Sequence, residues 1–216
     1  MSTIIFGASG GTGTAILHGL RARGEYVTAF LRTMTGVPVR EGVTIAVGDA
    51  TNRADVAAAM PGHDRVVISL GNSQNPFAML LGAKRTTPRD ICETGTRHII
   101  EAMQENSITR VVCVTAFGVG ATRAQAPLMF KIFYSLVLRE HMADKERQEA
   151  RLRASGLDWT LIQPVGLVDQ PVVGTCFVSA TGVLRKQTVS RTDLADAIIA
   201  TLDDRSTVHQ TIAVSG

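Results

Sequence analysis

Apolar and polar positions along the chain switch repeatedly between two periods. Short runs rich in β-branched residues, at 3–6, 26–31, 43–47, 65–70, 111–115, 159–163 and 211–214, read as strands. Between them, apolar residues recur every three or four positions, as on one face of a helix. The first helix follows strand 3–6, runs to about Arg23 and ends at Gly24. The second, 52–60, takes Thr51 as its N-cap and stops at Pro61-Gly62. A third, 89–106, carries Ile91, Gly95, Ile99, Ala102 and Met103 on one face. Segment 127–138 reads as an unusually apolar helix, 144–154 as a charged one ended by Ser155-Gly156, and 192–202 as a last helix capped by Thr192 or Ser190. Segments 71–88 and 165–184 read as irregular loops. Runs such as 111–115, apolar almost throughout, suit strands covered on both faces. The alternation predicts an α/β fold, a doubly wound and mostly parallel sheet with helices on both faces and ligands at the carboxyl ends of its strands.

The first strand leads into Gly7-Ala8-Ser9-Gly10-Gly11-Thr12-Gly13, three glycines spaced by three at a strand-turn-helix junction. Glycine suits each duty of a phosphate-binding turn: a sharp reversal, close approach of backbone N–H groups to an anion, and tight packing of helix on strand. A βα turn without a ligand would show the same residues, but the position in the first βαβ unit favours a pyrophosphate cradle. The fold is then a single Rossmann-type domain over residues 1–216. At the end of the second strand such domains carry an acid for the ribose 2′-hydroxyl of NAD or an arginine for the 2′-phosphate of NADP. Here the residue is Arg32, which predicts a preference for NADP(H).

Composition narrows the classes. Hydrophobic residues make up 45% and charged residues 19% of the 216 positions, enough for a packed core. A net charge of +3, spread over scattered basic residues, argues against a nucleic-acid partner. Cys92, Cys113 and Cys176 have no CxxC spacing and read as small buried hydrophobes. His18, His63, His98 and His209 are scattered, so no metal site is expected. No basic and apolar leader follows Met1, and the stretch 132–138 is far short of the ~20 residues a membrane span needs. The expectation is a cytoplasmic enzyme without a membrane partner, monomeric or homodimeric.

Asp49, after the third strand, could face an adenine amino group or cap the helix that follows. Ser69-Leu70-Gly71-Asn72 could offer backbone and hydroxyl groups to a dinucleotide, or be an ordinary strand exit. Thr115-Ala116-Phe117-Gly118 closes the fifth strand, from which the nicotinamide half is reached. The Thr115 hydroxyl could donate one hydrogen bond to a substrate and accept another, or be satisfied by its own backbone. Because the cofactor carries the hydride, the protein has mainly to bind, orient and exclude water. Segments 127–138 and 164–173 supply apolar surface for a flat hydrophobic acceptor; core packing or a dimer interface accounts equally well for the first of them. His141 and Lys145, four apart on a helix, read as exposed polar residues.

The stretches Ile5 through Gly13, Val47-Gly48-Asp49-Ala50, 111–117, Ser155-Gly156-Leu157-Asp158-Trp159-Thr160 with Pro164, and Asp169-Gln170-Pro171 together resemble the atypical short-chain dehydrogenase/reductases of the NAD(P)H-binding, NmrA-like kind. The resemblance covers essentially the whole chain. Within that group the chain looks most like the biliverdin-IXβ reductase/flavin reductase branch, whose Ser-Ala-Phe matches Thr115-Ala116-Phe117. This implies a flavin- or tetrapyrrole-like acceptor stacked on the nicotinamide and reduced by direct hydride transfer. Two departures stand out. The Tyr-x-x-x-Lys pair of typical short-chain dehydrogenases is absent, since Tyr134 is followed four later by Leu138 and Lys145 is preceded by His141. Thr115 replaces the serine, and loop 71–88 looks longer.

Residues and resemblance together place cofactor contacts at Gly7, Ser9, Gly10, Gly11, Thr12, Gly13, Arg32, Asp49, Ala50, Leu70, Gly71, Thr115 and Pro164. Thr115 is the expected catalytic side chain, and a substrate region over 115–140 and 164–190 is expected to offer Phe117, Phe130, Tyr134 and Val165. The function expected first is an NADPH-dependent reductase of a flavin, quinone or linear tetrapyrrole. The alternative is a non-catalytic NADP(H)-binding redox-sensing regulator. A nucleotide-sugar epimerase-like enzyme fits less well, lacking the tyrosine and a larger C-terminal domain.

Overall fold

Ile4 and Phe6 pack on one face of the first strand and Ile5 on the other, and helices close both faces. A computed structural model describes residues 1–34, 41–72, 74, 82–84, 86–127, 130–131, 136–169 and 176–216. Strand β1 (Ser2–Phe6) pairs in parallel with β2 (Tyr26–Leu31) on one side and β4 (Arg65–Ile68) on the other. β3 (Val43–Val47) extends the sheet beyond β2. β5 (Arg110–Val114), β6 (Asp158–Pro164) and β10 (Gln210–Ser215) extend it beyond β4, all parallel, and β8 (Phe177–Ser179) ends it antiparallel to β10. The order β3-β2-β1-β4-β5-β6-β10-β8 reverses direction between β1 and β4, so the carboxyl ends of those two strands frame a crevice.

One face is covered by α1 (Gly11–Ala22) and α5 (Arg191–Asp203), through Ile16, Leu17, Leu20, Leu194, Ile198 and Leu202. The other is covered by α2 (Arg53–Ala59), α3 (Ile91–Glu105) and α4 (Arg139–Arg153), through Val56, Ile99, Met103 and Leu152. Phe6 and Phe30 stack across β1 and β2 with ring centroids 4.8 Å apart. Each such side chain contributes about 1.5–3 kcal/mol relative to exposure, so the two-sided core fixes the register of the strands that carry the site. Two buried arginines fasten the opposite, amino end of the sheet. Arg65 donates to Thr3, Glu25 and Asp203, and Arg110 to carbonyls of Asp158, Thr201 and Leu202.

Three expectations are revised. The cap of α2 is Asn52, whose Oδ1 accepts from Ala54 N at 3.0 Å, because Thr51 is already engaged by Asp49. α4 begins at Arg139 rather than at 144; the intervening residues include no helix breaker, and their polarity hides the helical period. Within and beyond the expected irregular segment 165–184 lie three short strands, β7 (Gly166–Val168), β8 and β9 (Thr188–Ser190), with β7 and β9 paired in parallel. Strands of three residues are too brief for alternation to announce them. The apolar helix expected over 127–138 and the loop 71–88 fall in large part outside the described residues.

Candidate functional site

The glycine turn at the carboxyl end of β1 is built so that side chains are excluded from it. Gly7 has φ +87°, and a Cβ there would stand 2.4 Å from the Ser69 carbonyl oxygen at the exit of β4. A Cβ on Gly13 would stand 2.2 Å from the Gly7 carbonyl oxygen. The first glycine therefore lets the two strand exits approach, and the third lets α1 seat on the turn. Gly10 caps α1 with no side chain, and the first turn holds no acidic residue. The leading N–H groups and the positive end of the helix dipole are thus available to an anion. A helix start left open by glycine, with no side-chain cap and no acidic residue in its first turn, fits the pyrophosphate of a dinucleotide.

A cleft of about 270 Å³ opens from this turn. It brings together Gly7, Ser9, Gly10, Arg32, Asp49, Ala50, Leu70 and Gly71, which sequence reasoning singled out. Ser69, from the expected strand exit, lines it too; Phe30, Leu31, Gly48, Thr87 and Ile91 complete the wall and were not among the expected contacts. Phe30 could have been found from its place near the end of β2; Thr87 lies near the end of loop 71–88 and Ile91 just after it, where no local pattern points back to the crevice. Asp49 Oδ1 accepts from both the N–H and the hydroxyl of Thr51 at 2.8 Å, so it shapes the turn rather than capping α2. The Thr51 backbone N–H, joined by its hydroxyl and by the charge of Arg32, outweighs partial burial and holds the Asp49 carboxyl below its ordinary pKa. Arg32 is exposed at the rim of the same cleft.

Gly11, Thr12 and Gly13 form the first turn of α1, with Thr12 buried. Beyond β5 the geometry departs from a simple open pocket. The Thr115 hydroxyl is buried and donates to Glu149 Oε1 at 2.7 Å. The same carboxylate oxygen accepts from Gln163 Nε2 at 2.7 Å, and its other oxygen accepts from Arg153 at 3.2 Å. Thr122 donates to Gln163 Oε1 at 2.7 Å and accepts from Gly118 N at 2.8 Å, which carries the network into the loop after β5. Phe117 and Val165 lie in the core, and Phe130 packs half-buried against it. Pro164 is buried at the end of β6, its carbonyl accepting from Phe117 N at 2.9 Å. Tyr134 lies outside the described residues.

α4 supplies two further groups. Neither His141 nor Lys145 is fully exposed, contrary to expectation. The Lys145 ammonium donates to the carbonyls of Leu70 at 3.3 Å and Val114 at 3.2 Å, bridging the exits of β4 and β5. The preceding residue, buried Asp144, accepts from the N–H groups of Cys92 and Glu93, both at 2.9 Å, and so caps α3 from outside it. Burial pushes the Cys92 thiol up to about 11 and raises the Cys113 thiol as well, so both behave as the inert hydrophobes expected. Cys176 is half-buried. A second cavity of about 910 Å³ lies beside the loop after β5, lined by Gly118, Val119, Ala121, Ala126, Met142 and Ala143 with Lys131 and Arg139 among its polar members. Among the described residues no cluster of His, Cys, Asp and Glu could hold a metal ion, and no helix is long and apolar enough to cross a membrane.

A doubly wound sheet with an uncapped glycine turn at its switch point defines a dinucleotide-binding α/β protein. The family described as NAD(P)H-binding matches residues 7–205, and the chain belongs to it. It is 33% identical over 156 residues to the uncharacterized sugar epimerase YhfK of Bacillus subtilis, an alignment covering 72% of this chain and 64% of that protein. The chain spans about half to two thirds of the length of the first curated relatives it matches. A short-chain dehydrogenase/reductase of Veillonella parvula, solved in complex with NADP, superposes with a TM-score of 0.82 at 19% identity, over 100% of this chain and 94% of that one. ChuY of Escherichia coli O157:H7, an anaerobillin reductase, superposes with a TM-score of 0.78 at 22% identity, over 100% and 97%.

Proposed function

We propose that the protein is an NADPH-dependent reductase that delivers a hydride to a flat conjugated acceptor, a flavin, a quinone or a linear tetrapyrrole. The observation that carries this reading is the position of Lys145. Its ammonium joins Leu70, which lines the cofactor cleft, to Val114 at the end of β5, and its helix also contributes Met142 and Ala143 to the 910 Å³ cavity. A cavity of that volume, mostly apolar with Arg123, Lys131, Arg139 and Glu146 at its charged positions, suits a multi-ring acceptor. ChuY, of like fold, is named as a reductase of anaerobillin, which supports keeping linear tetrapyrroles among the candidates.

Bound NADPH supplies the hydride. Gly7, Gly10 and the first turn of α1 hold the pyrophosphate, and Arg32 takes the 2′-phosphate, with Asp49 fixing the turn beside it. Lys145 commits two of its three N–H donors to carbonyls and, among the described residues, keeps one to orient a bound hydroxyl or carbonyl. Its charge favours the negative charge that develops on an acceptor receiving a hydride. Thr115, its proton committed to Glu149, fixes the end of β5 from behind.

Purified protein mixed with NADPH and a panel of flavins, quinones and linear tetrapyrroles is expected to oxidise NADPH with at least one of them. Lys145→Met should slow that reaction while NADPH still binds. Oxidation no faster than background with every acceptor would overturn the reductase reading. The engaged Thr115 hydroxyl favours a second reading, a cofactor-sensing regulator. That reading requires comparable binding of NADP⁺ and NADPH, no turnover, and a protein partner recovered by pull-down.

A further inference from the structure

The first residue of α5 lies directly on the glycine turn. A Cβ built on Gly11 would stand 2.8 Å from both Cδ and Nε of Arg191, so the arginine stem packs on the first residue of α1. Gly11 and Arg191, with Thr14 and Asp169, line a cavity of about 390 Å³ that meets the turn at Gly11, as the cofactor cleft meets it at Gly7, Ser9 and Gly10. A residue remote in sequence thereby brings a guanidinium to the open end of α1.

Local stability does not explain an arginine there. Arg191 opens α5, where a cation opposes the helix dipole. Its ion-pair partner is Asp169, whose side chain is 83% exposed, and such pairs add little. That contact uses Nη1 alone, and among the described residues no other hydrogen bond from the Arg191 guanidinium is seen, so most of its five N–H donors remain for a ligand. A guanidinium fork matches phosphate oxygens in pairs.

We infer that Arg191 is a pyrophosphate-binding side chain: it reaches over Gly11 to the phosphate cradle, and Asp169 competes with the phosphates for it. The inference rests on the dinucleotide site described above and assigns that site a contact from α5, at the far end of the chain from the glycines. Gly11 then has a role besides backbone freedom, leaving room for the arginine stem.

The test is direct titration of wild type, Arg191→Ala, Arg191→Lys and Asp169→Ala with NADPH, followed by its fluorescence, and with 2′-AMP, which carries the 2′-phosphate and no pyrophosphate. Arg191→Ala should weaken NADPH binding about tenfold or more and leave 2′-AMP binding within about twofold, the worth of one charge-assisted phosphate contact. Arg191→Lys should recover part of the loss, and Asp169→Ala should bind NADPH at least as tightly as wild type. Unchanged NADPH affinity in Arg191→Ala would overturn the inference, as would equal weakening toward both probes. A wild-type protein that binds neither probe would remove the dinucleotide reading itself and this one with it.

Discussion

The Thr115 hydroxyl donates to the Glu149 carboxylate at 2.7 Å, and both residues are buried. Glu149 also receives Gln163 and Arg153, so one carboxylate satisfies three donors from β5, β6 and α4 itself. Removing it takes away the acceptor they share and leaves Gln163 with the Val119 carbonyl, Arg153 with the Thr211 hydroxyl and Thr115 with only the Ile162 carbonyl at 3.4 Å. Glu149→Ala should lower stability by about 3 kcal/mol, and Thr115→Val by about 1 kcal/mol, as three bonds to a buried carboxylate are lost in the first and one in the second. Urea denaturation checks both; near-equal midpoints for the two variants would contradict the shared role of Glu149.

Arg32 sits where an NADP 2′-phosphate would be held. Arg32→Ala is expected to reduce the ratio of NADPH to NADH affinity about tenfold, mainly by weakening NADPH, in line with one charge-assisted contact. Parallel titrations with the two nucleotides measure it, and an unaltered ratio would take the arginine out of the site.

The third glycine admits a sharper test. A Cβ at 13 would stand 2.2 Å from the Gly7 carbonyl oxygen, backbone against backbone, with no side chain able to yield. Gly13→Ala should therefore cost about 1–3 kcal/mol and abolish measurable NADPH binding, since α1 must retreat from the turn it presents. Gly24, with φ +77° and open space around its Cβ position, serves as the contrast. Gly24→Ala should destabilise modestly while NADPH affinity holds, as titration and thermal melting would show.

How far the sequence led depended on whether a signal was local. The glycines, the strand runs and Arg32 are neighbours in the chain, so one βαβ unit displays them together. α4 shows the reverse. Its surface of Arg, Glu and Lys reads as a solvated helix, yet Asp144, Gln148, Glu149 and Leu152 are buried along one side. Three of those four are polar, so hydrophobic periodicity could not reveal the face, and the network that holds Thr115 stayed hidden with it. The contact between Arg191 and Gly11 was equally illegible, because only the packing of α5 on α1 makes them adjacent.

Acid stability should report the amino end of the sheet. Partial burial acts to raise the pKa of Asp203, but hydrogen bonds and charge from Arg65 and Arg23 outweigh it and hold the carboxyl below its ordinary value. A folded pKa depressed in this way contributes stability that is complete above the unfolded value of about 3.9 and lost as pH falls through the folded one. Wild type should thus lose stability progressively below about pH 4. Asp203→Asn should be less stable near neutrality and show a flatter acid limb. Melting temperatures between neutral and strongly acidic pH decide it, and parallel curves for the two proteins would exclude this contribution.

Asp144 and Lys145 are consecutive, yet one holds the start of α3 and the other spans the exits of β4 and β5. Neighbouring residues of a helix point about 100° apart, so both attachments hold at one rotation of α4 only. The helix works as a key with two adjacent teeth. A single residue inserted between 145 and 148 would rotate both teeth by about 100° relative to the side that buries Gln148, Glu149 and Leu152, so the two ends of the helix could not be seated together although no side chain had changed. Correct alignment of the two halves of the site is thus a matter of helical phase, and in this region the chain should tolerate substitutions far better than changes in length.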